Sequence, residues 1–447
     1  MPRNPYLFVI ALVAALGGLL FGFDTAVISG TTPFLQPYFQ LNDIALGWTV
    51  SSLLMGCIIG VLSAGKPGDL FGRRNTLMVA AFLFLISALG SAISTKLAVF
   101  ILFRVLGGIA VGVASMLSPM YISEISPAKV RGTLVSLNQL AIVIGILMAF
   151  YSNYLLSGIG DNSWRWMLAV MGAPAFLFLI TLFFVPESPR WMVQKGYKDK
   201  AFRVLERING TEEARQEILN IENSLLNVEE GSYKEVFSKK MRPLLFAGVF
   251  LAVFSQITGI NSIMYYAPVI FKSLGNGVDS ALIQTTIVGG INFLFTLVAI
   301  WLIDIWGRKP LLITGVIGMT ISLTSVAIAY FLNKLEGYLI FFFILVYIAS
   351  FAASLGPATW VVVSEIFPNR MRSKAMSVAV VSLWTVNFVV TLLFPVVLNR
   401  LGGGIAFLIF DVMCVVLLLF VIFKLPETKG KSLEELEIQL LKKITFK

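Results

Sequence analysis

Apolar runs of about 20 residues recur along the whole chain, and they constrain its fold more strongly than any other feature. Each run is long enough to cross the roughly 30 Å hydrocarbon core of a bilayer as an α-helix. Only 13% of the 447 residues are charged, about half the share in an ordinary soluble domain. The sequence therefore predicts an all-α membrane protein that crosses the bilayer many times.

We predict twelve transmembrane helices, six on each side of a charged central segment. They cover residues 5–30, 45–65, 76–94, 98–121, 132–157, 166–185, 243–274, 281–303, 311–331, 338–364, 375–398 and 404–423. The central segment contains helical patterns such as DKAFRVLERI, so we expect short surface helices there. The predicted domains are an N-terminal six-helix bundle over 1–185, a linker over 186–242, a C-terminal six-helix bundle over 243–423 and a tail over 424–447.

Charge and cysteine usage narrow the function classes further. The net charge is +10, but the basic residues lie in alternate loops and form no basic domain, which argues against nucleic-acid binding. This loop bias predicts that both termini are cytoplasmic. Histidine is absent, and the two cysteines, Cys57 and Cys414, fall inside predicted helices. We therefore expect no disulfide framework, metal site or other cofactor.

An internal repeat relates the two groups of helices. GDLFGRR carries Asp69 and IDIWGRK carries Asp304, 235 residues later. SEISPAKVRG and SEIFPNRMRS begin 241 residues apart, and PESPRW and PETKG begin 240 residues apart. Three motifs at nearly one offset indicate a duplicated six-helix unit, and parallel repeats of this kind build major facilitator transporters.

An ordered set of motifs resembles the sugar porter family of the major facilitator superfamily. The motifs are GGLLFGFDTAVISG, GDLFGRR, FRVLGGIAVG, SEISPAKVRG, PESPRW, QITGINSIMYYAP and PETKG, and they span nearly the whole chain. The first of them, with SMLSPMYI, is especially similar to bacterial xylose:proton symporters. The resemblance implies two pseudo-symmetric bundles with a cytoplasmic helical linker, in the inner membrane of a cell. It also implies a monosaccharide and a proton as partners, a surrounding lipid bilayer, and a monomer.

Asp24 is a carboxylate in the middle of the first predicted helix. An ionised Asp there costs about 2.5–3.5 kcal/mol on insertion scales, so its default interpretation is functional. Arg104 lies at a suitable depth in the fourth helix, and a carboxylate beside it could gain and lose a proton. The resemblance implies proton coupling by this same pair, and a purely structural ion pair is the alternative. Asp411, in the last helix, has no role that we can assign.

The sugar site is predicted from uncharged polar and aromatic residues. Amides donate and accept at once, as sugar hydroxyls do, and aromatic rings suit the C–H face of a pyranose. The residues that the resemblance implies are Gln139, Gln256, Asn261, Tyr265, Asn292, Trp360, Trp384 and Asn387. Gly259 is expected to interrupt the seventh helix. The family pattern is broken at Ser255, Ile146 and Leu383, which leaves hexose and pentose both open and leads us to predict a preference for hexoses.

Charged residues at the helix ends predict a gate on the cytoplasmic side. The candidates are Asp69, Arg73, Arg74, Glu124, Arg131, Glu187, Arg190, Asp304, Arg308, Glu365 and Arg372. We expect ion pairs between Asp69 and Arg73 or Arg74, Glu124 and Arg131, Glu187 and Arg190, Asp304 and Arg308, and Glu365 and Arg372. Such pairs could form when this face closes and separate when it opens. The alternative is that they are ordinary topology charges.

The sequence thus predicts a proton-coupled monosaccharide symporter that works by alternating access. A facilitative sugar uniporter, with Asp24 structural, is the main alternative. A drug or organic-ion antiporter fits less well, because the predicted cavity offers amides, tryptophans and one paired carboxylate. An enzyme or a sensor is not expected, since the chain has neither a recognisable catalytic constellation nor an appended signalling domain.

Overall fold

The computed structural model describes residues 4–127, 130–226, 232–239, 241–333, 338–368 and 371–429, without the side chains of 224–226, 304 and 373. This described part is α-helical, with a short 3₁₀ turn at Ser157–Ile159 and no β-strand. The helices of the first half and of the central segment are α1 (Pro5–Tyr38), α2 (Asp43–Phe71), α3 (Arg73–Ile93), α4 (Leu97–Ile125), α5 (Arg131–Leu156), α6 (Ser163–Ala169), α7 (Gly172–Leu182), α8 (Pro189–Gln194), α9 (Lys198–Asn209), α10 (Thr211–Leu226) and α11 (Tyr233–Val236). Those of the second half are α12 (Arg242–Ile257), α13 (Ile260–Ser273), α14 (Val278–Trp306), α15 (Arg308–Phe331), α16 (Leu339–Ala353), α17 (Leu355–Ile366) and α18 (Arg372–Phe423). The predicted all-α class is confirmed.

Eleven helical stretches of the described residues are long and apolar enough to cross a membrane. The last of these, Lys374–Phe423, has 50 residues and would extend about 75 Å as one helix, more than twice the hydrocarbon thickness. Gly402 interrupts it with φ 83° and ψ 160°, so that residues 372–401 and 403–423 form two spans. The predicted set of twelve transmembrane helices is thereby confirmed.

Two spans predicted as continuous are broken, each just before a proline. The sixth span divides at residues 170–171 and the tenth at Ser354. Pro174 and Pro357 have no N–H to donate to the carbonyl oxygen four residues earlier. In both spans that carbonyl lies next to the break. The GAP and GPA tripeptides around these prolines therefore indicate the helix breaks, which the hydropathy pattern does not show.

Small residues let α1 and α5 approach until their backbones touch. A Cβ added at Gly22 would collide with the carbonyl of Ile142, and one added at Gly145 would collide with the carbonyl of Leu19. This contact lies two residues from Asp24 and fixes the part of α1 that carries it.

By its internal contacts the chain divides into two units. Unit 1 comprises Met1–Val27, Met55–Ala149 and Arg165–Glu229. Unit 2 comprises Ile28–Leu54, Phe150–Trp164 and Glu230–Lys447. These units follow contacts, whereas the predicted six-helix bundles follow chain order, so the bundle boundaries stay a prediction.

The central segment forms the short helices that its sequence predicts. Helices α8, α9 and α10 belong to unit 1 and pack around a small apolar core of their own. Its buried members are Met192, Val193, Ala201, Leu205, Ala214 and Ile221. Each of these helices thus packs against the others through a stripe of apolar residues at helical spacing, which leaves its charged face outside this core.

Candidate functional site

Helices α1 and α4 bring Asp24 and Arg104 together inside unit 1. Arg104 Nη1 donates a hydrogen bond to Asp24 Oδ1, and Nη2 donates one to the backbone oxygen of Asp24 at 3.1 Å. The two side chains are 0% and 1% exposed. Removing one member of so buried a pair leaves the other charge uncompensated, which is strongly destabilising. The site therefore accommodates the two charges best together, and a proton on Asp24 would weaken the pair.

Ser87 of α3 and Gly107 of α4 lie beside the second carboxylate oxygen of Asp24. A Cβ added at Gly107 would lie 2.7 Å from Asp24 Oδ2 and would also collide with Ser87 Oγ. Asp24 Oδ2 and Ser87 Oγ are both buried, and neither has a hydrogen-bond partner within the described part of the chain. Gly107 therefore leaves a narrow space into which one carboxylate oxygen and one hydroxyl both reach.

The seventh span is broken at Gly259, as the sequence predicts. Gly259 has φ 93°, a left-handed conformation that favours glycine. Tyr347 Oη donates to the carbonyl oxygen of Thr258 at 2.9 Å, which satisfies a backbone group freed by the break. The ring of Phe410 packs so closely on Gly259 that no side chain would fit there. The break is thus a fixed element of unit 2.

Two of the predicted sugar ligands bond to each other across this break. Asn261 Nδ2 donates to Gln256 Oε1 at 2.6 Å, and Gln256 Nε2 donates to Ser255 Oγ at 3.0 Å. Both amide side chains are only partly buried. A hydroxylated ligand could exchange hydrogen bonds with this short chain of amides.

The other predicted sugar ligands of unit 2 lie on α13, α14, α17 and α18. Tyr265, Trp384 and Asn292 are buried, whereas Trp360 is 38% exposed. Asn387 is also buried, and its Oδ1 accepts a bond of 3.2 Å from Thr391. Its Nδ2 finds no hydrogen-bond partner among the described residues. An amide nitrogen in this situation is a ready donor for a ligand oxygen.

Gln139 is the predicted sugar ligand that belongs to unit 1. It lies on α5 and is partly buried.

The first charge cluster comprises Asp69, Arg73, Glu124, Glu187 and Ser188, all in unit 1. Arg73 binds Asp69 and Glu124, each at 3.0 Å. Ser188 Oγ donates to the second carboxylate oxygen of Glu124. Glu187 accepts bonds from the backbone N–H of Arg74, at the start of α3, and of Ser188. Every carboxylate of this cluster is therefore engaged by a cation, a hydroxyl or a helix N-terminus.

The second charge cluster comprises Arg308, Glu365, Glu427 and Thr428, all in unit 2. Arg308 Nη2 binds Glu365 Oε1 at 3.0 Å. Glu427 accepts bonds of 2.8–3.0 Å from four backbone N–H groups, two of them at the start of α15. Burial by itself would raise the pKa of Glu427, but these four N–H bonds outweigh it and lower the pKa below its usual value.

The two clusters share one local backbone geometry. Gly72 and Gly307 precede α3 and α15 with φ 97° and 92°. A side chain at either glycine would collide with the carboxylate of Glu187 or Glu427. The glycines thus allow each glutamate to reach a helix N-terminus, where a negative charge is stabilised.

Three of the predicted ion pairs are not formed in this structure. Glu124 and Glu365 bind Arg73 and Arg308, and neither binds Arg131 or Arg372. The latter two arginines donate instead to the carbonyl oxygens of Ser126 and Phe367, the residues that end α4 and α17. Exposed carbonyls at a helix C-terminus attract a cation, and these lie within reach five residues back along the chain.

The third pair that is not formed is that of Glu187 with Arg190. Arg190 is exposed and makes no ion pair with any described residue. Arg74 donates through Nη1 to the carbonyl oxygen of Val185 at 3.2 Å, and its backbone N–H, not its charge, binds Glu187. The side chain of Asp304 lies outside the described part of the structure, so its pairing stays a prediction.

Asp411 is buried in unit 2, where Thr324 Oγ1 of α15 donates to its Oδ2 at 2.8 Å. Its Oδ1 has no hydrogen-bond partner in the part of the chain that the structure describes. Asp411 therefore joins α15 to α18.

Several polar contacts were missed at the level of sequence. Ser87 touches the space in front of Asp24, Ser188 binds Glu124, and Glu427 caps α15. The repeat itself could have indicated Glu427, because PETKG aligns with the PESPRW motif that contains Glu187. Ser87 gave a weaker signal, since a single serine in an apolar helix commonly bonds to its own backbone.

Comparison with known proteins extends over nearly the whole chain. The family described as "Sugar (and other) transporter" matches residues 10–440. The chain is 43% identical to the D-xylose-proton symporter of Escherichia coli (strain K12), covering 97% of this chain and 96% of that protein. It is 40% identical to the arabinose-proton symporter of Bacillus subtilis (strain 168), covering 97% and 94%.

A solved structure agrees with these relatives. A partially occluded, inward-open structure of the xylose transporter from E. coli superposes with a TM-score of 0.86 at 40% identity, covering 96% of this chain and 100% of that one. The similarity therefore extends from the motifs to the three-dimensional fold. The chain belongs to the sugar transporter family of the major facilitator superfamily.

Proposed function

We propose that this protein is a proton-coupled monosaccharide symporter that works by alternating access. The observation that carries the proposal is the pair of Asp24 and Arg104, buried at 0% and 1% exposure in unit 1. Burying a charged pair inside a membrane protein costs free energy, so such a pair is interpreted as functional by default. Relatives named as sugar-proton symporters support the same function at 40% and 43% identity.

The pair gives the carrier two states that differ by one proton. With Asp24 ionised, Arg104 is fully compensated and the two side chains hold α1 and α4 together. When Asp24 takes up a proton, the ion pair becomes a hydrogen bond from the charged guanidinium to a neutral carboxyl, which is weaker. The helices are then freer to move relative to each other, and this couples the proton to the conformational change.

Sugar recognition is proposed to rest on the amides and rings named above. In unit 2 they are Gln256, Asn261, Tyr265, Asn292, Trp360, Trp384 and Asn387, and in unit 1 the proposed contact is Gln139. The support is chemical: the bonded amides at the helix break and the unpartnered Nδ2 of Asn387 can donate to hydroxyl oxygens and accept from hydroxyl protons.

The two charge clusters are proposed to hold the cytoplasmic face closed in one state and to separate in the other. The duplication of their contacts supports this role, since both halves join an arginine to a glutamate at 3.0 Å. We further propose a monomer in the inner membrane, with both termini cytoplasmic. It would act without a cofactor and not as an enzyme.

The sugar itself is proposed to be a hexose. Ser255, Ile146 and Leu383 replace longer or more polar groups of the family pattern, so these positions offer fewer hydrogen bonds to a sugar. A buried hydroxyl without a partner costs about 1–3 kcal/mol, which disfavours a ligand with a hydroxyl facing Ile146. Unlabelled glucose, galactose, xylose and arabinose should be competed against one labelled hexose. Xylose competing best, with Ile146→Gln making no difference, would contradict the assignment.

Transport by purified protein in liposomes tests the function directly. Labelled sugar should accumulate above its external concentration when the lumen is alkaline, and a protonophore should abolish the accumulation. A facilitative uniporter would only equilibrate the sugar, with or without the protonophore.

A further inference from the structure

Asp24 has one carboxylate oxygen that Arg104 does not use. Oδ1 and the backbone oxygen of Asp24 both accept hydrogen bonds from the guanidinium. Oδ2 accepts no hydrogen bond from Arg104, is buried, and has no hydrogen-bond partner within the described residues. Because a proton on Oδ1 would displace the donor from Arg104, Oδ2 is the oxygen that can be protonated without breaking the pair.

Ser87 is the neighbour of that oxygen. Both Ser87 Oγ and Asp24 Oδ2 reach the point where a side chain of Gly107 would begin. Ser87 is 1% exposed, and its hydroxyl is also without a partner among the described residues. The charged or titratable side chains that interact with Asp24 are Arg104 from α4 and Cys57 from α2, while α3 supplies the hydroxyl.

A hydroxyl at this position suits both states of the carboxyl. It has one proton to donate and two lone pairs that accept, and it rotates to suit its partner. It can donate to Oδ2 when Asp24 is ionised and accept from Oδ2–H when Asp24 is protonated. Directly, or through one water, it can therefore follow the proton without leaving a buried polar atom unsatisfied.

We propose that Ser87 is the third residue of the proton site, and that Oδ2 of Asp24 is the atom that carries the proton. On uptake an O–H bond forms at Oδ2 with a proton supplied by the gradient, and Ser87 Oγ turns from donor to acceptor. On release that bond breaks and the hydroxyl turns back. This assignment rests on the proposed symport and adds a positioning residue to it.

The test compares Ser87→Ala with Ser87→Thr, which keeps the hydroxyl, and with a matched control, Ser118→Ala. Ser118 is likewise a fully buried serine of unit 1 without a hydrogen-bond partner among the described residues, but it packs on Gly17 and not at Asp24. Each variant is reconstituted in liposomes. Proton-driven uptake is measured as a function of external pH, and exchange of labelled for unlabelled sugar is measured at equal pH on both sides.

Ser87→Ala should lower proton-driven uptake about tenfold, because the bond lost to the ionised carboxylate is stronger than the bond lost to the protonated carboxyl. It should also change the pH of half-maximal uptake, while sugar exchange stays within about twofold of the wild type. Ser87→Thr should restore the pH profile, and Ser118→Ala should match the wild type throughout.

Two results would overturn the assignment. One is an unchanged pH profile in Ser87→Ala, and the other is an equal loss of uptake and exchange that Ser87→Thr does not relieve. A wild-type protein that never accumulates sugar under a proton gradient would instead refute the proposed symport itself, which separates the two failures.

Discussion

The two units bury different kinds of polar group. Unit 1 holds an ion pair, Asp24 and Arg104, at 0% and 1% exposure. Unit 2 buries neutral amides, such as Asn292 and Asn387, and one carboxylate, Asp411, on a threonine hydroxyl. The proposed function therefore assigns proton handling to unit 1 and most of the sugar contacts to unit 2, with Gln139 as the sugar contact of unit 1.

The charge clusters repeat the comparison outside the membrane spans. In unit 1 the side chains of Arg73 and Glu124 are 8% and 9% exposed, and Ser188 satisfies the second oxygen of Glu124. In unit 2 Glu365 is 30% exposed. Its Oε2, like the hydroxyl of Thr428, has no hydrogen-bond partner in the part of the structure described. The first cluster is the more complete one, so we expect the second to open more easily.

The largest expected effect separates the two kinds of buried group. Arg104→Leu leaves Asp24 buried and unpaired, so we expect a loss of stability of about 3–5 kcal/mol if the carboxyl stays ionised, together with severely reduced uptake and an altered pH profile. Asn387→Ala removes one uncharged ligand and should weaken sugar affinity about tenfold at an unchanged pH profile. Uptake as a function of pH and sugar concentration measures both.

The opposite pair of results would contradict the assignment of proton handling to unit 1. An altered pH profile in Asn387→Ala, with none in Arg104→Leu, would place proton handling in unit 2.

The next effect contrasts the central glutamates of the clusters. Glu124→Gln should destabilise the protein by about 2–3 kcal/mol, because it removes a charge-assisted bond from a nearly buried arginine. Glu365→Gln should cost about 1 kcal/mol or less, since that pair is partly screened by solvent. Thermal unfolding in detergent gives the stabilities, and equal losses in the two variants would contradict the ranking of the clusters.

A smaller effect is expected at the residues that follow each glutamate cap. Ser188→Ala should cost about 1–2 kcal/mol, because it leaves a buried oxygen of Glu124 unsatisfied. Thr428→Ala should be close to neutral, since the lost hydroxyl has no partner among the described residues. If Thr428→Ala proves as costly as Ser188→Ala, the second cluster is as complete as the first.

The smallest effect concerns Glu427, whose pKa is lowered in the folded protein. A lowered folded pKa gives stability that is fully present above the unfolded value of about 4.3 and is lost as the pH falls through the folded value. Wild type should exceed Glu427→Gln in stability at neutral pH, and the gap should narrow as the pH falls below the unfolded pKa of about 4.3. Unfolding midpoints of both proteins between neutral and acid pH check this, and a gap that widens in acid would contradict it.

The sequence predicted the features that depend on local pattern. Apolar runs predicted the spans, glycine predicted the break at Gly259, and the rarity of charge within the helices predicted that Asp24 and Arg104 would meet. Each of these features depends on backbone conformation or on the cost of burying a charge. Both can be inferred from the residue types along the chain.

Pairing among several charges could not be predicted in the same way. The repeat shows which residues lie at helix ends, but a long arginine side chain can reach a carboxylate or a carbonyl with similar ease. Arg73 therefore took Glu124, while Arg131 took a helix C-terminus. Ser87 could not be predicted because it reaches Asp24 only where Gly107 has no side chain. That proximity depends on how α3 and α4 pack, which the sequence pattern does not show.

The most direct measurement is transport by Asp24→Asn in liposomes. The substitution keeps the size of the side chain but removes the group that takes up the proton. The account predicts that accumulation under a proton gradient disappears, while sugar binding and sugar-for-sugar exchange persist. An Asp24→Asn protein that still concentrates sugar against its gradient, and loses that ability on addition of a protonophore, would contradict the assignment of proton coupling to this pair.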